Sequence, residues 1–414
     1  MRTQVGIIGA GPAGLMLSHL LHLHGIDSVI IEARSREYVR GRVRAGVIDS
    51  DVAGLFRGTG VGDRMDREGL PQEQMEIRFD GKRRFINWFE LVDGRRNVIY
   101  GQQEVVKDLL DRRSRDGAAI LFDAEAVRID GLEEDRPTII FRHGGEERSL
   151  RCDLLAACDG FHGIGRGRIP DGHVSIFERQ YPFAWLGILV QAPPSSDWLV
   201  TCAHERGYAM HSMRSPEVSR NYIQIPLSDA PDDWSDDRVW SELHARIDID
   251  GWTLNEGPIR EKAKFDLRSF VCEPMQYRRL FLAGDSAHVV PPTGGRGMNQ
   301  AIADVCVLAD AARDFFRTGS EESLNRYSSV CLARVWHSQQ FTASQTQMLQ
   351  RHSFDDPYLR KQQLAQLEYV TTNRAAATSL AQCYAGARLK TSFLPDSEGQ
   401  EYPRICEPPR PIFG

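Results

Sequence analysis

The feature that most constrains this chain is Gly9-Ala-Gly11-Pro-Ala-Gly14, placed between an apolar run and an amphipathic one. Residues Thr3 to Ile8 read as a buried strand, Pro12 to His24 as a helix and Ser28 to Glu32 as a second strand, the start of a βαβ unit. In that setting the first glycine makes the tight turn and the second lets backbone approach a pyrophosphate. The third lets helix pack on strand. The helix N-terminus then faces the phosphates, and Glu32 ends the second strand where a carboxylate can bind ribose hydroxyls. A dinucleotide site formed by Gly9, Gly11, Gly14 and Glu32 is the expectation, with an α/β, Rossmann-like first domain.

Beyond it the text changes. From about Val174 to Leu227, strand-like runs (Phe183 to Val190, Tyr208 to Arg214, Asn221 to Ile225) are separated by Pro193-Pro194 and Ser215-Pro216, which suits an antiparallel sheet. A further apolar strand, Arg279 to Ala283, runs into Gly284-Asp285, and helical patterning dominates from Asn299 to about Ala385. The stretch from Lys390 to Gly414 holds five prolines and reads as an extended tail. The expected organisation is a discontinuous nucleotide-binding domain (1–173 and 266–330), an antiparallel-sheet substrate domain (174–265), a helical C-terminal region (331–390) and the tail (391–414).

Composition excludes some partners. A net charge of −6 over 414 residues offers no surplus of Lys and Arg for a phosphate backbone, so no nucleic-acid partner is expected. The apolar run from Val5 to Leu21 is broken by Gly9, Gly11, Pro12 and Gly14 and has neither membrane-span nor signal-peptide layout, so a cytoplasmic protein without a membrane partner is expected. Eight cysteines are scattered without a CxxC pair or a neighbouring His, so no metal site is expected.

Two more segments, Cys152-Asp-Leu-Leu-Ala-Ala-Cys-Asp159-Gly160 and Leu280-Phe-Leu-Ala-Gly284-Asp285-Ser-Ala-His288, place an Asp beside a Gly at the end of an apolar strand. With the first motif they make the chain similar to the class A flavoprotein monooxygenases. The resemblance narrows to the 4-hydroxybenzoate 3-hydroxylase group over roughly residues 1 to 390, through Gly41-Arg42-Val-Arg44-Ala-Gly46, Tyr100-Gly-Gln102, Gly160-Phe-His162-Gly-Ile-Gly-Arg166, Tyr181-Pro-Phe-Ala-Trp185-Leu-Gly187, Leu267-Arg268-Ser-Phe and Pro291-Pro292-Thr-Gly-Gly-Arg-Gly-Met-Asn299. It implies a glutathione-reductase-type FAD domain, a homodimer, and hydroxylation of a small aromatic acid with NADPH or NADH and O₂ through a flavin C4a-hydroperoxide.

By the same resemblance Arg42, Arg44, Gln102, Asp159 and Asp285 bind FAD, His162 and Arg268 meet the nicotinamide cofactor, and Pro292 lines the substrate ring. Asn299 is expected to open the helix beneath the flavin, its positive end favouring the reduced anionic ring. Arg34 and Arg36 could meet a 2′-phosphate or simply be solvated. Ser212 and Arg214 lie two apart in a strand-like run and Tyr222 on the next, so one face offers a guanidinium and two hydroxyls, a set that suits a carboxylate. They match the group's carboxylate clamp, and Arg220 matches a residue that influences flavin movement.

One departure is informative. The group removes the substrate's phenolic proton through two tyrosines and a histidine. Here Tyr384 remains, but Thr201 and Gln72 stand where the other two belong, and neither titrates near neutral pH. Three readings stay open: an amine in place of the phenol, a bulkier or more substituted 4-hydroxybenzoate in the room left by Thr201, or another relay group such as His211. The expected substrate is an amino-substituted or otherwise atypical benzoate. Alternatives are plain 4-hydroxybenzoate, a flavin halogenase (although no WxWxIP segment is present) and a non-catalytic FAD-binding module.

Overall fold

The computed structural model describes residues 1–42 and 46–394. Its first sheet has six strands in the order Gln276–Tyr277, Leu280–Leu282, Leu154–Ala157, Val5–Ile8, Ser28–Ile31 and Ala119–Leu121. All neighbours are parallel except the first pair, with Val5 opposite both Leu154 and Ser28. The two strands at its centre are buried along their whole length, the reason they read as unbroken apolar runs: a parallel sheet is covered on both faces. Helix Pro12–Leu23 packs against helices Gly297–Thr318 and Gln102–Arg115. A three-stranded sheet (Ala124–Asp130, Thr138–His143, Glu146–Arg151) contributes Ile129, Ile139, Phe141 and Leu150 to the same core.

The second sheet has eight strands, in the order His288–Val289, Ile259–Glu273, Ser175–Val190, Val218–Ile225, Gly207–Ser215, Leu199–His204, Gln74–Phe79 and Lys82–Asn87. Side chains alternate across it. One face carries Leu186, Ile188, Val200, Cys202, Ala209 and Ile223 and is covered by Val239, Leu243 and Ile247 of helix Asp236–Ile247. The other carries Trp185, Tyr208, Tyr222, Met75 and Ile77, packed against Phe341, Met348, Leu367, Leu380 and Tyr384 of the C-terminal helices.

The sheet is larger than the run from 174 to 265. The hairpin Gln74–Asn87, turning at Asp80-Gly81 with both φ positive, adds two strands from inside the first expected segment, and Ile259–Glu273 runs past position 265. Leu199–His204 pairs in parallel with Gln74–Phe79, a contact between segments more than a hundred residues apart. Strand Ser175–Val190 starts well before Phe183; Pro182 cannot donate to a ladder, and the pairing with Ile259–Glu273 skips between Gln180 and Ala184. Six cysteines (Cys152, Cys158, Cys202, Cys272, Cys306, Cys331) are buried and unpaired, and Cys383 is half-buried. No described helix is long and apolar enough to cross a membrane.

Candidate active site

At the end of the parallel sheet each glycine of the first motif meets a different steric demand. Gly9 has φ +100° and a Cβ there would lie 2.4 Å from the Cys158 carbonyl oxygen; a Cβ on Gly14 would lie 2.0 Å from the Gly9 carbonyl oxygen. These two close the turn and seat the helix. Gly11 is different: a Cβ there would meet nothing within 4 Å, so it faces open space at the helix N-terminus. The Glu32 carboxylate accepts from the Ala10 amide at 2.7 Å and the Arg34 amide at 2.8 Å, which holds it beside that space.

Asp285 projects from a short 3-10 turn, Gly284–Ser286, and is exposed without a hydrogen bond or ion pair among the described residues. A buried pair missed in the sequence fixes this turn: Asp304 accepts from the Gly284 amide at 3.0 Å and lies 2.6 Å from His288 Nε2. Burial pulls the imidazole's pKa down, but Asp304 more than offsets this and the net shift is upward. Asp159 turns inward, accepting from the Gly165 amide at 2.8 Å, and burial raises its pKa. Gln102 begins helix Gln102–Arg115, Arg42 is exposed at the end of helix Arg36–Gly41, and Arg44 lies outside the described residues. Arg36 donates to Ser114 at 2.8 Å, and Arg34 lies over the Tyr38 ring.

His162 is exposed, its ring edge-on to Phe161 at 5.0 Å, and the Arg268 guanidinium lies over that same Phe161 at 4.6 Å. Phe161 thereby brings together two residues more than a hundred positions apart.

Pro292 is exposed in the loop before helix Gly297–Thr318, where Gly294 (φ +90°) and Gly295 (φ +66°) make a bend that a side chain would strain. The helix opens at Gly297, over which a Cβ would again meet nothing within 4 Å, and not at Asn299. The Asn299 side chain is a strap: Oδ1 accepts from the Asp49 amide at 2.9 Å, and Nδ2 donates to the Val47 and Gly295 carbonyls at 2.8 and 3.1 Å. With those bonds made, the side chain ties the loop at Gly295 to Val47 and Asp49. Arg296 ties the same parts together, donating to Asp49 at 2.6 Å, to the Tyr384 carbonyl at 2.5 Å and to the Gly294 carbonyl at 3.2 Å. Burial raises the Asp49 carboxyl to about 6 even so.

On the face of the large sheet, Ser212 and Tyr222 lie in adjacent cross-strand rows: Ser212 opposite Arg220, and Met210 opposite Tyr222 on one side and Thr201 on the other. Arg214 follows at a bulge; its Nη2 donates to Gln103 Oε1 at 2.6 Å, and it makes no ion pair with any described residue. Burial and the neighbouring Arg220 pull its pKa down to about 10. Arg220 in turn donates to the Tyr222 hydroxyl at 3.3 Å. Two glycines make room: a Cβ on Gly101 would sit 2.5 Å from Arg214 Nη2, and one on Gly187 would sit 2.6 Å from Phe265 and 3.0 Å from the Tyr222 ring. A desolvated guanidinium with only a neutral partner, beside two hydroxyls, is a site built for an anion.

The Thr201 hydroxyl donates to the Glu76 carbonyl at 3.3 Å. Tyr384 is held between Trp88, stacked at 5.4 Å, and Phe341, edge-on at 5.2 Å; its hydroxyl lies 3.5 Å from Gln345 Oε1, and burial pushes its pKa up. The Gln72 carbonyl accepts from Trp88 Nε1 at 3.0 Å. His211 lies on the opposite face of the sheet, fully buried, with Nδ1 2.8 Å from Asn221 Oδ1 and Nε2 accepting from the Ser195 amide. The expectation that His211 could serve as a relay is therefore corrected: the sheet lies between it and the clamp.

Comparison with known proteins agrees with this geometry. Residues 2–342 match the family model described as FAD binding domain. The chain is 41% identical over 387 residues to p-hydroxybenzoate hydroxylase of Acinetobacter baylyi, covering 93% of this chain and 96% of that one. It is 26% identical over 74% of its length to 3-(3-hydroxy-phenyl)propionate/3-hydroxycinnamic acid hydroxylase of a Mycobacterium species, of which the match spans 53%. Among solved structures, p-nitrophenol 4-monooxygenase from Pseudomonas putida superposes with a TM-score of 0.80 at 18% identity, covering 94% of this chain and 99% of that one. The open space over Gly11 and Gly297, the carboxylate of Glu32 and the free Asp285 fit an extended dinucleotide, and the chain belongs to the FAD-binding aromatic hydroxylases, the class A flavoprotein monooxygenases.

Proposed function

We propose that this enzyme hydroxylates a small benzoate carrying a para amino or hydroxyl group, and that the amino-substituted or otherwise atypical ring is the preferred one. The observation that carries the proposal is the Arg214 guanidinium, without an ion-pair partner among the described residues and set with Ser212 and Tyr222 on an aromatic face. Arg214 and the two hydroxyls hold the carboxylate, while the loop at Pro292 lines the ring. Cofactor residues come from 1–173 and 266–330: Gly9, Gly11, Gly14, Glu32, Arg42, Arg44, Gln102, Asp159 and Asp285 toward FAD, His162 and Arg268 toward NADPH or NADH. Bound FAD supplies hydride acceptance and activation of O₂.

The preference for an amine rests on the far end of the ring. Thr201 does not titrate near neutral pH, and Tyr384, with its pKa raised by burial, stays protonated and serves as a donor rather than a base. An aniline needs no deprotonation before an electrophile attacks it. Plain 4-hydroxybenzoate is the second reading, favoured by the 41% identity to a p-hydroxybenzoate hydroxylase. A cytoplasmic homodimer completes the proposal, and its mass in solution is read by sedimentation.

The test is to mix the purified flavoprotein with NADPH or NADH and a panel of hydroxy- and aminobenzoates, recording cofactor oxidation, peroxide and product mass. A product heavier by one oxygen from an aminobenzoate, with little peroxide, is the expected result. Faster coupled turnover of plain 4-hydroxybenzoate than of any aminobenzoate would overturn the preference.

A further inference from the structure

Three cross-strand rows cross the aromatic face of the large sheet. The first holds Ser212 opposite Arg220; the second holds Gly187, Tyr222, Met210 and Thr201; the third holds Trp185, Gln224, Tyr208 and Ala203. Neighbouring rows are two residues apart along a strand, about 7 Å. The carboxylate clamp occupies the first two rows. An aromatic acid anchored there by its carboxylate runs toward the third.

The third row carries a hydroxyl that nothing in the protein uses. Tyr208 is 1% exposed, and its ring stacks on Trp185 at 5.1 Å with an interplanar angle of 19°. Its phenolic oxygen makes no hydrogen bond to any described residue, although its backbone amide and carbonyl are both engaged, by Gln224 and Arg246. Trp185 also lies 5.1 Å from Tyr222, so one ring touches both the clamp tyrosine and Tyr208. Close by, Trp185 Nε1 donates to Gln350 Oε1 at 3.0 Å while the Gln350 amide nitrogen, also buried, has no partner. The buried Gln350 amide left unsatisfied costs free energy unless something polar meets it, and the Tyr208 phenol has its hydrogen-bonding capacity to offer.

Thr201 explains where that partner can sit. It is opposite Met210, so Tyr208 is its diagonal neighbour, at a separation of about 7–8 Å that an aromatic side chain can bridge. Threonine is smaller than the tyrosine that holds this place in the related group, so the position diagonal to Tyr208 carries no second aromatic ring. The Ser212 to Tyr208 span of four residues is about 13 Å. That is close to the roughly 12 Å of a para-substituted benzoate with a hydrogen bond at each end.

We propose that the Tyr208 phenol hydrogen-bonds the para substituent of the aromatic acid, the contact Thr201 cannot make, and so selects for a ring with a polar group opposite its carboxylate. This rests on the aromatic-acid reading above. The phenol can donate to a hydroxyl or amine and accept from either, and it leaves the substrate's protonation state unchanged.

Tyr208→Phe keeps the ring stack and removes only the oxygen. Dissociation constants for 4-aminobenzoate, 4-hydroxybenzoate and unsubstituted benzoate are measured on the FAD-loaded wild-type and variant proteins from the change in flavin absorbance, with FAD content and thermal midpoint as controls of folding. The substitution is expected to weaken the two para-substituted acids about fivefold to tenfold and to leave benzoate unchanged. Equal weakening of all three acids, or no change in any, overturns the role of Tyr208. If none of the acids perturbs the wild-type flavin, the aromatic-acid reading itself fails, which the variant alone could not show.

Discussion

Arg214 should be a residue the fold would be more stable without. Its pKa is held at about 10, well below a guanidinium's ordinary value, because burial and Arg220 disfavour its charge. At neutral pH it is charged in the folded and the unfolded chain alike, so the penalty is present in full, about 3 kcal/mol by the free energy of a pKa displacement. Arg214→Met has similar length and removes the charge. It also loses the bond to Gln103 at 2.6 Å, which returns about 1 kcal/mol. The net expectation is a ligand-free protein more stable by about 2 kcal/mol, a rise of roughly 2–3 °C for a chain of this size. Affinity for an aromatic carboxylate should fall at the same time. Charge-assisted hydrogen bonds contribute about 1.5–3 kcal/mol each, so the dissociation constant should rise roughly 100-fold. Thermal unfolding without substrate gives the first number, and titration followed by flavin absorbance gives the second. A variant that is less stable and binds benzoates as well as wild type would refute the reasoning, since Arg214 would then be a structural residue.

Three further outcomes follow from the geometry. Gly14→Ala should destabilise the fold, its Cβ falling 2.0 Å from the Gly9 carbonyl, whereas Gly11→Ala should fold normally and bind FAD more weakly; equal FAD affinity in Gly11→Ala and wild type would contradict the open face as the cofactor's path. Gly187→Ala should displace Tyr222 and raise the dissociation constant for the aromatic acid about tenfold with FAD content unchanged, as titration of the variant would show. Burial holds His19 and His211 at about 4, so both are neutral in the fold but take a proton at about 6.5 when unfolded. Their contribution is present above that value and is lost as pH falls toward 4, up to about 3 kcal/mol for each. Urea midpoints at pH 7.5 and 5 should therefore differ, and His211→Gln should flatten the difference; an unchanged slope would rule His211 out as its source.

The parts of the site that were legible in the sequence are those where sterics or periodicity leave one solution. Gly9, Gly11 and Gly14 could be assigned separate tasks because a turn and a close helix–strand contact exclude a Cβ at the first and third, while the second faces open space that a phosphate can approach. The period of two put Ser212 on the clamp face, and the same parity already sets His211 on the other face, a conclusion available before any coordinates. What was hidden depends on distant segments. Nothing near Leu199 announces a parallel partner at Gln74–Phe79, and nothing near Asn299 shows that its amide will be consumed by Val47, Asp49 and Gly295. Asp304, which fixes the turn carrying Asp285, sits in a helix where an acid ordinarily reads as a surface charge. Gly101 and Gly187 had a signal only in their neighbourhood, because the side chains they make room for are far away in the chain.

The buried cysteines acquire a meaning from the chemistry of the family. An oxygenase that releases its activated oxygen unproductively makes peroxide inside its own structure, and peroxide attacks thiolates, not thiols. Cys152, Cys158, Cys202, Cys272, Cys306 and Cys331 are all held away from solvent, and burial pushes each of their pKa values upward, so at neutral pH they stay protonated. The fold can thus carry sulfur through its core and withstand its own misfired turnovers. Cys383, half-buried beside Tyr384, is the described thiol where oxidative wear should register first.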